Sequence, residues 1–350
     1  MKRSVSAIGR LLTCAAVAAM AMAVEAPAAA QDKINVLLPN ENTTTLYPAI
    51  VARELGFYDE EGIEVTLLAS DTTIPYMAFL ANSQADLSMF DAPQTFQALN
   101  ADQPIKVVFE GMQFAPEIVF VPADSEAQSV ADLVGTTVGL ASDRDLVTLQ
   151  VALDAVGHTI DEVSTVVVGD SGPVLATSLR DGRVSAVTAG VNDATVVAAN
   201  GIPYRDVTPP QVRENPANSF VVYEPRLEEL RPVIAKFLRA WAKGAEAAKI
   251  DREAVAAMCA KSVPEEWEVE EGGNALLDAS MQMILPQTPE HGQPQPDVWS
   301  AIQGPYIKFG VIEGEVDPAT FLDTSFYEAA NDFDPADVKA AIDKWKEMNP

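Results

Sequence analysis

The chain has 350 residues, with 51 Asp and Glu against 23 Lys and Arg, and only two His and two Cys. A net charge of −28 excludes nucleic-acid and peripheral-membrane binding, because both need a dense positive patch. So few His and Cys, without CxxC or HExxH spacing, predict neither a metal site nor a cofactor, and no GxSxG or SxxK motif indicates a hydrolase.

The first thirty residues have the pattern of a secretory signal peptide. Lys2, Arg3 and Arg10 precede an apolar stretch over residues 11–24, and three alanines at 28–30 offer a cleavage site. The apolar stretch is shorter than the roughly 18 to 20 residues that a spanning helix needs. We therefore predict that residues 1–30 are a cleaved leader and that the mature chain is exported.

Strands and helices alternate from residue 34 onward. Short apolar runs predict strands, and apolar residues at helical spacing predict the segments between them. The predicted strands cover residues 34–38, 63–68, 85–89 and 105–109, and the predicted helices cover 45–55 and 73–81. This order predicts a parallel sheet covered by helices.

The same order recurs about a hundred residues later. Strands are predicted over 138–140 and 163–168, with a helix over 146–156 between them, and residues 175–187 repeat the pattern of 77–89. Two further predicted strands, 117–121 and 219–223, bracket this unit as hinges. We therefore predict an α/β fold with two lobes joined by two hinge strands. Lobe 1 comprises residues 31–118 and 222–350, and lobe 2 comprises residues 119–221.

The remainder of the chain is predicted to be helical, and most of it is predicted to cover lobe 1. The helices are predicted over residues 226–249, 251–261, 275–285, 296–309 and 335–347. The Pro-rich segment 286–296 is predicted to be a surface excursion.

Three motifs resemble one family. They are LYPA at 46–49 continuing to ARELGFY at 52–58, NSQADL at 82–87 leading to Asp91, and VADLVGTTVG at 130–139. On these motifs the chain resembles periplasmic solute-binding proteins of ABC transporters, in the family of sulfonate, nitrate and thiamine-pyrimidine binders (SsuA/THI5-like, NMT1-like). The resemblance implies the type II periplasmic-binding-protein fold.

The resemblance also implies a function without catalysis. Such a protein closes over a small ligand in the periplasm and delivers it to a permease and its ATPase, and we expect a monomer. The segment from Pro39 to Thr43 is most similar to the Pro-Asn-x-Asn opening of members that bind pyrimidine precursors of thiamine. A binder of sulfonate, taurine, nitrate or an aromatic acid remains an alternative, as do a sensory binding protein and an exported pyrimidine-synthase-like enzyme. The enzyme is disfavoured because its cysteine-rich motif is missing.

The ligand is expected beyond the carboxyl ends of the strands, where loops of both lobes meet. The acids of these loops are Glu41, Asp71, Asp91, Asp143, Asp145 and Asp193, and the only base is Arg144. Carboxylates accept hydrogen bonds from amino and ring N–H groups, so this balance favours a nitrogen-bearing ligand, although Asp and Asn before a helix are also common N-caps. The predicted ligand-binding residues are Asn40, Asn42, Thr43, Thr44, Tyr47, Asp71, Thr72, Phe90, Asp91, Phe114, Asp143, Arg144, Asn192 and Asp193.

Overall fold

The computed structural model describes residues 31–69 and 76–349. The predicted leader lies outside these residues, and so do Asp71 and Thr72 of the predicted site. Within the described ranges, no helix is both long and apolar enough to cross a membrane.

The strands of the described residues form two five-stranded sheets. They are β1 (Asp32–Leu38), β2 (Ile63–Ala69), β3 (Leu87–Phe90), β4 (Ile105–Phe109), β5 (Glu117–Pro122), β6 (Thr137–Leu140), β7 (Ser164–Val167), β8 (Ala186–Gly190), β9 (Tyr204–Asp206) and β10 (Ser219–Tyr223). Their order is β2-β1-β3-β10-β4 in the first sheet and β7-β6-β8-β5-β9 in the second. Each sheet has a parallel core of three strands, as the alternation of elements predicts.

Each of the two bracketing strands lies in one sheet, where it pairs antiparallel with both of its neighbours. β10 pairs antiparallel with β3 and β4, and β5 pairs antiparallel with β8 and β9. Because β5 runs in the opposite direction to β8, β5 begins at the edge of the sheet where β8 ends. The first residue of β5 therefore lies at the edge of the second sheet where β8 ends, with Glu117 opposite Gly190.

Helices cover both sheets. They are α1 (Tyr47–Glu54), α2 (Phe57–Glu60), α3 (Tyr76–Ala81), α4 (Ala92–Asn100), α5 (Asp145–Ala155), α6 (Gly172–Arg180), α7 (Val191–Ala199), α8 (Pro210–Arg213), α9 (Leu227–Ile250), α10 (Arg252–Ser262), α11 (Glu270–Ile284), α12 (Pro296–Ala301), α13 (Gln303–Lys308), α14 (Pro318–Phe321), α15 (Tyr327–Ala330) and α16 (Pro335–Met348). Short 3₁₀ turns at Thr44–Leu46 and Pro264–Trp267 lie next to each other in space.

The longest of these helices, α9, packs its apolar face on the first sheet. Phe220 of β10 contacts Phe237 and Trp241 of α9, with ring centroids 5.4 and 4.9 Å apart in edge-on geometry. Further along, Gly244 lies so close to α1 that an added Cβ would be 2.3 Å from the carbonyl oxygen of Pro48. Only glycine fits this contact between helices.

Two tail helices also contact the elements of the second sheet, and one of them is α13, which contacts α5. α11 packs against α7, which belongs to the second sheet's unit, and also against the 3₁₀ turn Thr44–Leu46. The largest hydrophobic cluster likewise contains residues of both units, for example Phe120 and Phe220. Most of the tail is predicted to cover lobe 1; α9 packs on the first sheet and α16 packs on α9, whereas α11 and α13 contact elements of both sheets.

The prediction of a surface excursion over residues 286–296 is wrong. His291 and Gly292 are buried, and the carbonyl oxygen of Gly292 accepts a hydrogen bond from the N–H of Glu110 at 3.0 Å. Gln113 Oε1 accepts from the N–H groups of Gln287 and Thr288 at 2.8 and 3.2 Å. The middle of the segment is held against the chain between β4 and β5 because polar groups there find their hydrogen-bond partners in it, whereas Gln287 and Pro289 are exposed.

Candidate functional site

A cavity of about 690 Å³ lies at the edge where the two sheets face each other. Its walls come from the loop after β3, the start of β5, the loop after β6, residues 211–217 and residues 301–311. Two of these segments follow the carboxyl ends of parallel strands, which is where α/β sheets hold ligands.

Asp91 is held in place as the N-cap of α4. Its Oδ1 accepts a hydrogen bond from the N–H of Gln94 at 2.6 Å, and the Oε1 of Gln94 accepts from the N–H of Asp91 at 3.1 Å. Burial raises the pKa of Asp91, against the lowering effect of the Gln94 N–H and of Arg144. The side chain is thus both a cap and part of the cavity wall.

The loop after β6 contributes a second acid and a cation. Asp145 Oδ2 accepts hydrogen bonds from the N–H and the hydroxyl of Ser142 at 2.6 and 2.8 Å, and burial raises the pKa of Asp145. Arg144 is exposed and forms no ion pair with any residue that the structure describes. It is the only cation in the cavity lining, among the described residues.

Glu117 is the third acid of the cavity, and the prediction missed it. Burial, together with the nearby Asp91 and Asp145, raises the pKa of Glu117 to about 7 against the lowering effect of Arg144. The predicted site residues come from loops that follow strands, whereas Glu117 is the first residue of a strand. The available signal was an acid at the first position of an otherwise apolar strand that pairs antiparallel.

Tyr306 completes this wall from the helical tail. It lies on α13, lines the cavity, and its ring meets Phe96 edge-on at 6.2 Å. Burial raises the pKa of Tyr306, and the neighbouring Asp91 and Glu117 raise it as well. The cavity lining therefore carries four acids, Asp91, Glu117, Asp145 and Asp154, together with one arginine, and Asp154 is paired with Lys308.

A smaller cavity of about 170 Å³ lies beside the first, and Pro116 lines both. Predicted residues Asn40, Thr43 and Asn192 line it, together with Asn218. Its lining has no charged side chain among the described residues. Thr45 Oγ1 donates a hydrogen bond to Asn192 Oδ1 at 3.3 Å across the two units.

Several predicted residues of the first loop face the protein interior. Asn42 Nδ2 donates to the carbonyl oxygen of Ser262 at 2.9 Å, and the buried Thr44 donates its N–H to Glu266 Oε2 at 2.7 Å. Tyr47 is fully buried and its hydroxyl donates to the carbonyl oxygen of Ala245 at 3.3 Å. None of Asn42, Thr44 and Tyr47 lines either cavity.

Four other predicted residues also lie off the two cavity linings. Phe90 is buried against Tyr76, Phe114 lies 6.0 Å from the Arg213 guanidinium, and Asp143 is exposed. Asp193 accepts from the N–H of Gly190 at 3.2 Å at the start of α7. Burial, together with the charge of Asp145, raises the pKa of Asp193 to about 6.

Residues 43–254 match a family model described as NMT1/THI5 like. A similar curated protein is the formylaminopyrimidine-binding protein of Halalkalibacterium halodurans, 28% identical over 225 residues. The aligned region covers 62% of this chain and 66% of that protein, so the chain spans slightly less than two thirds of this relative's length.

Solved structures share the fold at low identity. The periplasmic aliphatic sulphonate binding protein SsuA from Escherichia coli has a TM-score of 0.65 and 14% identity, over 83% of this chain and 91% of that one. The desulfurization enzyme DSZB has a TM-score of 0.57 and 16% identity, over 90% of this chain and 99% of that one. The predicted periplasmic-binding-protein fold is confirmed, and because a binder and an enzyme share it, the fold by itself does not decide the activity.

Proposed function

We propose that this chain, which belongs to the NMT1/THI5-like family, is the periplasmic solute-binding component of an ABC importer. It closes over a nitrogen-bearing heterocycle such as a pyrimidine precursor of thiamine and releases it unchanged. Its partners are a permease and an ATPase, and it acts as a monomer.

The observation that carries the proposal is the composition of the larger cavity wall. Asp91, Glu117 and Asp145 all line it. Carboxyl groups accept hydrogen bonds from amino groups and pair with cations, whereas an anion would be placed beside two or three negative charges. A volume of about 690 Å³ is within the range of small-molecule sites.

The name of the curated relative supports the same ligand class. That protein is described as binding a formylaminopyrimidine, and 28% identity over 225 residues relates it to this chain. The relationship is consistent with the acidic cavity, because an aminopyrimidine offers an amine and ring nitrogens to carboxyl groups.

Contacts between the two units support the closing motion. The hydroxyl of Thr45 donates a hydrogen bond to Asn192. Lys308 of α13 forms an ion pair with Asp154 of α5, and α11 packs on α7. Rotation about the segments between β4 and β5 and between β9 and β10 would separate all three contacts and open the cavity. In the proposed mechanism these contacts form in the closed protein, which a membrane partner would recognise.

One observation favours a different ligand. Arg144 lines the cavity without an ion pair to a described residue, and a guanidinium is well suited to a sulfonate or carboxylate. A binder of sulfonate, taurine, nitrate or an aromatic acid is therefore the second candidate.

A thermal-shift panel separates the two candidates. The chain from residue 31 is heated with aminopyrimidines, sulfonates, nitrate or aromatic acids, and calorimetry then measures the affinity of any stabilising compound. We expect an aminopyrimidine at a hundred times its Kd to stabilise the protein by about 2.7 kcal/mol. Stabilisation by the anions alone would contradict the proposal. Mass spectrometry of the ligand after incubation tests the enzyme alternative, since a binding protein returns it unchanged.

A further inference from the structure

Glu117 differs from Asp91, Asp145 and Asp154, the other acids of the larger cavity, in how its carboxyl group is engaged, and Asp154 is paired with Lys308. Asp91 accepts a hydrogen bond from the N–H of Gln94, and Asp145 accepts two from Ser142. The carboxyl group of Glu117 accepts no hydrogen bond from another residue that the structure describes, and its own backbone N–H only lowers its pKa. Its carboxyl group therefore lines the cavity with hydrogen-bonding capacity left for a ligand.

The charged and titratable groups around Glu117 come from three elements. Asp91 lies before α4, Arg144 and Asp145 lie at the start of α5, and Tyr306 lies on α13. Burial and, to a smaller extent, two neighbouring carboxylates disfavour a further negative charge, and one exposed guanidinium offsets this only in part. With a pKa of about 7, Glu117 holds a proton in much of the population at neutral pH.

We propose that Glu117 is the specificity-determining residue of the cavity and that it binds two adjacent nitrogens of the ligand, a primary amine and the ring nitrogen beside it. One carboxyl oxygen accepts a hydrogen bond from the amine, and the other shares a proton with the ring nitrogen. This inference rests on the proposed function and specifies which edge of the heterocycle the protein reads. A ligand that lacks either nitrogen forms only one of the two hydrogen bonds with Glu117, and its affinity is therefore lower.

The pairing predicts a particular pH dependence. The complex holds one proton between Glu117 and the ring nitrogen, whereas above pH 7 the free carboxyl group and the free ring are both deprotonated. Binding then takes up one proton, so the affinity falls about tenfold for each pH unit between 7.5 and 9. A glutamine at this position supplies an N–H and a carbonyl oxygen without titrating, so it keeps the pairing and removes the pH dependence.

The test is calorimetry with 4-amino-2-methylpyrimidine as the probe, at pH 7 to 9. We expect Glu117→Ala to raise Kd at least about thirtyfold. Glu117→Gln is expected to stay within about threefold of the wild type at pH 7 and to show no pH dependence. Glu126→Gln is the matched control, because Glu126 is exposed beyond the other end of β5, and it should keep both the affinity and the slope of the wild type. The probe 2-methylpyrimidine, which lacks the amine, should bind at least about thirtyfold more weakly.

The outcomes separate this inference from the function on which it rests. Wild-type affinity in Glu117→Ala, or a wild-type pH slope in Glu117→Gln, overturns the role of Glu117 while the protein remains an aminopyrimidine binder. Failure of the wild type to bind any aminopyrimidine refutes both. If Glu117→Ala does not fold, the pH profile of the isosteric Glu117→Gln decides.

Discussion

Glu266 accepts a hydrogen bond from the hydroxyl of Thr43 at 2.7 Å through its Oε1. Its second oxygen accepts from the N–H of Thr44 at 2.7 Å, so one carboxylate of the tail holds the loop after β1. Thr43 lines the smaller cavity, and the position of that wall therefore depends on a residue more than two hundred positions away.

Replacing Glu266 should destabilise this loop and the protein with it. Glu266→Ala leaves the hydroxyl of Thr43 and the N–H of Thr44 without their partner, and both residues are buried. We expect a loss of about 1 to 3 kcal/mol in the free energy of unfolding, measured by urea denaturation. Glu265→Ala is the control, since Glu265 is exposed and should change stability by less than about 0.5 kcal/mol. Equal effects of the two substitutions would show that the carboxylate does not hold the loop.

The charge of Asp91 can be separated from its capping role. Asparagine is an equally good N-cap, so Asp91→Asn keeps the hydrogen bond to the N–H of Gln94 and removes the negative charge. We expect Kd for an aminopyrimidine to rise at least about tenfold while the Tm of the ligand-free protein stays the same.

Asp91→Ala, in contrast, should also lower stability by about 1 kcal/mol through loss of the cap. An unchanged affinity in Asp91→Asn would remove Asp91 from the ligand site and leave it as a cap only.

Glu110 should make stability depend on pH. Its carboxyl group is buried and accepts hydrogen bonds from Gln295, Trp299 and Gln113 at 2.8 to 3.1 Å. Burial raises the pKa of Glu110 from 4.5 to about 7, so between these values the folded protein binds more protons than the unfolded chain. Stability contributed by this group is therefore full below pH 4.5 and is lost as the pH rises to 7, by about 3 kcal/mol at most.

The measurement compares urea denaturation of the wild type and Glu110→Gln at pH 5 and pH 8. The variant should be less stable at pH 5, because an amide cannot accept from all the surrounding donors, and the difference should shrink at pH 8. A difference that grows with pH would mean that the hydrogen bonds favour the ionised form over the effect of burial.

Two helical glycines should respond oppositely to alanine. A Cβ at Gly244 would meet the carbonyl oxygen of Pro48 at 2.3 Å, so Gly244→Ala must push α9 and α1 apart at a cost of about 1 to 3 kcal/mol. At Gly272 the nearest atom to such a Cβ is on Val269 at 3.9 Å, and alanine should stabilise α11 by up to about 1 kcal/mol. Thermal unfolding measures both, and a stabilised Gly244→Ala would contradict the close contact.

The local pattern of the sequence predicts much of the fold. The predicted strands 105–109 and 219–223 agree with the observed bounds of β4 and β10, because each is a short apolar run with clear ends. β9 has only three residues, too few to show a period, and was not predicted. The helix predicted over 296–309 is two helices, α12 and α13, since Pro305 has no N–H to donate to the carbonyl oxygen of Ala301.

The site is harder to predict than the fold because it depends on pairings between distant segments. Asp91 and Arg144 follow strands and were found by the rule for parallel sheets. Glu117 reaches the same edge only because β5 runs antiparallel to β8, and Tyr306 only because the tail folds back over α4 and α5. Neither relationship leaves a periodic signal in the sequence around those residues.

Pro116 lines both cavities, and this shared wall has a consequence for protein engineering. A ring held by the acids of the larger cavity has the neutral, amide-lined smaller cavity as its neighbour on the other side of one proline. Replacement of that side chain by glycine removes the side chain that the two linings share. If the protein binds the proposed heterocycle, this change adapts it to longer conjugates, with the heterocycle kept in place and an uncharged polar substituent placed among Asn40, Asn192 and Asn218.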